Sequence, residues 1–103
     1  MKVLAIEKEA PGISQSQFEP HLKSEAARAW ELYKTGVFRE IYFRQDKPQA
    51  VIMLECEDSD KAKQILDTLP LVREGFISFE IMPLGPYPGF ERLFSRDVES
   101  EEK

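Results

Sequence analysis

A single cysteine, a single histidine and no asparagine mark this chain first by the chemistry it cannot perform. The lone Cys56 forms no disulfide within the chain, and its place in an apolar run predicts a buried thiol in a reducing compartment. Without asparagine there is no glycosylation sequon and no Asn-dependent catalysis. One His and one Cys, far apart in sequence, give no CxxC or HExxH spacing, so no metal site is expected. Nucleophile–base triads and Gly-rich phosphate loops are missing too. Long apolar runs are also scarce. The opening MKVLAIEKE is too short for a signal-peptide core and far short of the ~20 residues of a membrane span, which predicts a soluble, cytoplasmic protein with no membrane partner. Basic residues are outnumbered, 14 against 19 acidic, for a net charge of −5. Nucleic-acid affinity depends on clustered Lys and Arg, so no nucleic-acid partner is expected.

What remains is a chain of 103 residues, 42% of them hydrophobic. That is one domain's worth, with a core that is viable but has little margin, and burial against a second copy would help it. Lys2 to Glu7 is apolar on both faces and predicts a central strand. After Pro11-Gly12, the apolar residues Phe18, Leu22, Ala26, Ala29, Trp30, Leu32 and Tyr33 recur at helical spacing as far as Lys34, with Trp30 and Tyr33 expected in the core. The helix begins either at a capping box, Ser16 with Glu19, or later with Pro20 in its first turn. Gly36 ends it. Val37 to Arg44 alternates, with Val37, Arg39, Ile41 and Phe43 on one face and Phe38, Glu40, Tyr42 and Arg44 on the other, which suits an edge strand. A turn at Gln45 to Pro48 joins it to the central strand Ala50 to Cys56. Asp58 or Asp60 then caps a second helix carrying Ala62, Ile65, Leu66 and Leu69, limited by Pro70. Phe76 to Leu84 alternates again and predicts a fourth strand, whose Pro83 marks an edge or an end.

The order is β-α-β-β-α-β, the α+β ferredoxin-like plan with a four-stranded antiparallel sheet, its first and third strands central. Residues 1–94 form the single domain, including a Pro- and aromatic-rich arm over 85–94, and 95–103 is a charged, mobile tail. One face of such a sheet stays apolar and uncovered in a monomer. Two sheets packed face to face would cover it, so a homodimer is expected, with the arm reaching toward the partner.

Leu69-Pro70-Leu71, followed by an alternating strand that ends in Pro83-Leu84, resembles the C-terminal half of the muconolactone delta-isomerase family. Glu25 to Arg44, a helix that ends at a glycine and runs into an Arg-containing strand, resembles its first half. The resemblance covers most of residues 20 to 88. It implies a subunit of the dimeric α+β-barrel class, further assembly of dimers, and cofactor-free proton-transfer chemistry on a small lactone or organic acid. Tyr87-Pro88 stands where the family pattern has His-Pro.

The best polar constellation lies on the first helix, where His21, Glu25 and Arg28 fall at i, i+4 and i+7 on one edge of the apolar stripe. Glu25 lies within the stripe. A carboxylate directed into a helix–sheet cleft is desolvated, which raises its proton affinity toward the range useful for moving a proton from carbon, and His21 is positioned to share that task. Arg28 or Arg39 suits a two-pronged grip on a ligand carboxylate, and Tyr42 or Tyr87 the donation of a hydrogen bond to a developing enolate. The same His-Glu-Arg spacing also describes a solvated ion-pair ladder. Three functions therefore stay open: a cofactor-free isomerase, a cofactor-independent monooxygenase by analogy of fold, and a non-catalytic small-molecule-binding or assembly module.

Overall fold

The computed structural model describes residues 1–94, and the charged tail expected over 95–103 lies outside the described residues. Strand β1 (Lys2–Glu9) sends Val3, Ala5 and Glu7 to a covered face, where all three are buried, and Leu4 and Ile6 to the opposite face. It runs two residues further than expected because Lys8 and Glu9 pair with Ser78 and Ile77. The first helix starts earlier than either expected site. Ser14 is the residue before α1 (Gln15–Phe18), and Gln17 Oε1 accepts the Ser14 N–H at 2.9 Å. A 3-10 turn, Glu19–His21, holds Pro20 where a missing N–H costs nothing, and α2 (Leu22–Lys34) follows. Gly36, at φ 82°, then turns the chain into the sheet.

Strands β2 (Phe38–Phe43) and β3 (Ala50–Glu55) form the expected hairpin, but with a bulge between Phe38 and Glu40. Phe38 pairs with Leu54, and Ile41 with Ile52, so Arg39 is the extra residue. The strict alternation expected for this strand therefore fails at one point. Phe38 joins Ile41 and Phe43 on the helix-covered face, and Arg39 is exposed with its Nε 2.6 Å from the Gly36 carbonyl.

Helix α3 (Ser59–Leu66) is capped by Asp58, whose carboxylate accepts the Lys61 N–H at 2.8 Å. Pro70 does not merely stop it. The helix has already ended, and Pro70 opens a separate short helix, α4 (Pro70–Arg73), at the first-turn position that suits its ring. Strand β4 (Ile77–Leu84) completes a sheet of order β2-β3-β1-β4, all antiparallel, with β1 and β3 central. A last 3-10 turn, Pro88–Leu93, carries the arm.

All helices lie on one face of the sheet, and the core beneath them has two parts. The larger gathers Val3, Ala5, Leu32, Phe38, Ile52, Leu54, Ala62, Leu66 and Leu69, and the smaller consists of Phe18, Leu71 and Ile77. Trp30 and Tyr33, expected in the core, are instead 57% and 49% exposed and stack on one another. The α2 stripe is wider than the sheet edge it covers, so its β2-side residues overhang into solvent. Cys56 is only partly buried, just past the end of β3, with its thiol donating to the Asp58 carbonyl. Among the described residues no helix is long and apolar enough to cross a membrane.

Candidate functional site

A cavity of about 350 Å3 lies at the seam between the two parts of the core, with the sheet on one side and α2 on the other. Phe38, Ile52 and Leu69 of the larger cluster line it, as do Phe18, Leu71 and Ile77 of the smaller one. Helix α2 contributes Leu22, Glu25, Ala26 and Ala29, the small alanines leaving the space that larger side chains would fill. Into this apolar chamber project four polar residues, Glu7, Glu9, Gln15 and Glu25.

Glu25 stands in the first turn of α2, half-buried, with Oε1 2.9 Å from the Leu71 N–H that donates to it. That N–H belongs to the first turn of α4, where backbone donors have no partner inside the helix. Burial pushes the Glu25 carboxyl above its ordinary range, the Leu71 hydrogen bond opposes the shift, and the neighbouring charge of Glu7 adds to it. Glu7 is the buried charged side chain of the described residues, 8% exposed, and its Oε1 accepts the Ala50 N–H at 2.8 Å. The β1–β3 ladder is paired as far as Ile6 and Val51, and this carboxylate takes up the next β3 donor. Burial also raises the Glu7 carboxyl, against the Ala50 hydrogen bond and with a further push from Glu9.

The residues singled out from sequence are scattered by the fold. Glu25 lines the cavity. His21 does not line it and stands edge-on to Phe76 at 5.5 Å between ring centres. Arg28 turns away to donate from Nε to Thr68 Oγ1 at 2.9 Å and from Nη1 to Glu31 at 3.0 Å. Arg39 sits in the bulge, and Tyr42 projects from the opposite face of the sheet, its hydroxyl donating to Glu40 at 2.7 Å. Tyr87 is exposed on the arm against Phe90. Glu7 was missed by sequence reasoning, although a signal existed. It continues the i, i+2 series of Val3 and Ala5, so it shares whichever face of the sheet those two residues occupy.

An antiparallel ferredoxin-like sheet with helices on one face and a carboxylate-bearing helix–sheet cavity defines the α+β class to which dimeric α+β-barrel subunits belong. The sequence profile described as muconolactone delta-isomerase matches residues 4–89, and the chain belongs to that family. Among solved structures, muconolactone isomerase superposes over 100% of both chains with a TM-score of 0.71 at 14% identity. A 5-chloro-2-hydroxyhydroquinone dehydrochlorinase from Burkholderia phenoliruptrix, in complex with 2,5-dihydroxybenzoquinone, superposes with a TM-score of 0.62 at 14% identity, over 86% of this chain and 98% of that one. At such identities the likeness is one of fold. No curated protein matches the chain in sequence.

Proposed function

We propose that this protein is an isomerase-like proton-transfer catalyst acting, without a cofactor, on a small cyclic molecule such as a lactone, with Glu25 as the group that moves the proton. The observation that carries this reading is the placement of Glu25: a half-buried carboxyl of raised proton affinity, held by the Leu71 N–H, in a cavity of ring size. A carboxylate of raised proton affinity is the stronger base, and once protonated it returns the proton readily, as a 1,3-shift between two carbons requires. Oε1 is fixed by the backbone, which leaves Oε2 to carry the proton between the γ-carbon and the carbon next to the carbonyl, leaving one and returning to the other through the dienolate that joins them: from γ to α in muconolactone, from α to γ in a β,γ-unsaturated lactone. Gln15 is the neutral amide donor in the lining and the candidate to hydrogen-bond the enolate oxygen. Family membership supports the reaction class.

The test is uptake of solvent deuterium, followed by NMR, into muconolactone and into angelica lactone, its uncharged counterpart. Glu25→Gln keeps an acceptor for Leu71 and is expected to slow exchange by a factor of ~10²–10⁴. Absence of exchange into both lactones by the unaltered protein would remove the catalytic reading for this substrate class. The second reading is a non-catalytic binding module, favoured by the position of His21, Arg28, Arg39, Tyr42 and Tyr87 away from the cavity. A saturable ligand without proton exchange is its signature.

A further inference from the structure

The polar lining of the α2–sheet cavity is one-sided in charge. Glu7, Glu9 and Glu25 supply carboxylates and Gln15 an amide, the remaining lining side chains are apolar, and among the described residues no lysine, arginine or histidine lines the space. The arginines on neighbouring elements are engaged elsewhere: Arg28 with Thr68 and Glu31, Arg39 with the Gly36 carbonyl, Arg44 with Asp46 and Gln49. Glu7 stands on the sheet and Glu25 on the helix, so the two carboxylates come from facing walls. Each accepts a backbone N–H through Oε1, and among the described residues neither Oε2 has a protein donor.

We propose that this cavity binds a small ring compound that carries hydrogen-bond donors and no negative charge, held between Glu7 and Glu25, and that it rejects organic acids. The inference rests on the cavity assigned above as the reaction site and names its ligand class. A ligand carboxylate brought among three carboxylates in a partly desolvated cleft meets like charge with no counter-cation. A hydroxyl or ammonium hydrogen instead satisfies acceptors that the protein leaves open. The volume, about 350 Å3, lies at the small end of the ~300–1,000 Å3 range of ligand sites and suits one ring with short substituents. No group of three His, Cys, Asp or Glu among the described residues is arranged to hold a metal ion, which favours an organic donor over a bare cation.

Three probes of similar size separate the possibilities: resorcinol, uncharged with two hydroxyl donors; benzylamine, a cationic donor; and benzoate, the anion. Each is titrated into the full chain at pH 7 and followed through its backbone amide resonances. Resorcinol, benzylamine or both are expected to shift the Ala50 and Leu71 amides saturably, and to bind at least about tenfold more tightly than benzoate, since juxtaposed like charges are strongly disfavoured. Which of the two donors binds more tightly tells whether the hydroxyl or the ammonium is the natural form. In the Glu7→Gln variant, which keeps an acceptor for the Ala50 N–H, that gap to benzoate is expected to narrow. Benzoate binding as tight as either donor probe would overturn the proposal, and so would the absence of cavity shifts with both donors. The comparison in the unaltered protein stands even if the variant fails to fold. Binding is read without turnover, so a donor-selective cavity that exchanges no proton removes the catalytic reading alone, and a benzoate preference with Glu25-dependent exchange intact removes this one alone.

Discussion

Glu7 and Glu25 are held partly out of water, and each carboxyl is shifted upward chiefly by that burial. A carboxyl whose folded-state proton affinity exceeds its unfolded value stabilises the fold while protonated, and that contribution is lost as pH rises through the folded-state value. The contribution of this pair to stability should therefore decline from about pH 4.5, the ordinary value of a Glu carboxyl, upward through the raised values of the two groups. Replacing both by Gln removes the titration and keeps acceptors for the Ala50 and Leu71 N–H groups. The expected outcome is a melting-temperature difference, double variant minus unaltered protein, that grows between pH 4 and pH 7, measured by circular dichroism. A constant difference would show that the pair is not strained by burial. Glu25 was legible in the sequence because it interrupts an apolar helical stripe. Glu7 was not, because a short run apolar on both faces hides which of its alternate positions the helices cover, and only the pairing with β3 and β4 decides it.

At the scale of elements, the Leu69-Pro70-Leu71 segment joins scaffold to site. Leu69 is buried in the larger cluster, Leu71 is buried in the smaller, and Pro70 between them opens α4 so that the next N–H meets Glu25. The order of strands and helices followed from periodicity and from Gly and Pro punctuation, which act locally. The separation of α3 from α4 and the bulge at Arg39 did not, since both depend on how distant segments fit the sheet. Leu69→Ala is expected to lower stability by about 2–5 kcal/mol, as for other fully buried leucines, and to enlarge the cavity it lines. Chemical denaturation checks the first effect. Gly36→Ala forces a β-carbon into a positive-φ turn and should cost about 1 kcal/mol, with the fold retained.

The whole molecule presents two unlike sheet faces, one under the helices and one uncovered. On the uncovered face Leu4, Ile6, Val51, Met53 and Met82 form an apolar centre, registered as Leu4 with Met53 and Met82, and Ile6 with Val51. Charged residues ring it: Lys2 and Glu55 pair at one end, Glu80 lies opposite Ile6, and Glu40 opposite Met53. An apolar centre inside a polar rim is the anatomy of a protein–protein interface, and a domain this small gains proportionally more from covering such a face than a larger one would. A second copy in face-to-face contact, with Leu4 and Met53 near the middle, would cover both faces at once, since a two-fold contact buries the same patch on each copy. Met53→Glu places a charge at that centre without touching the core under the helices. The expected outcome is a dimer for the unaltered protein at micromolar concentration by light scattering and a folded monomer for the variant, with its circular dichroism unchanged. A monomeric unaltered protein would leave the face without a partner of its own kind. A dimer that survives Met53→Glu would move the interface elsewhere, first to the overhanging Trp30–Tyr33 stack beside the cavity, where an apolar groove lined by Ala26, Ala29 and Ile41 is another uncovered surface.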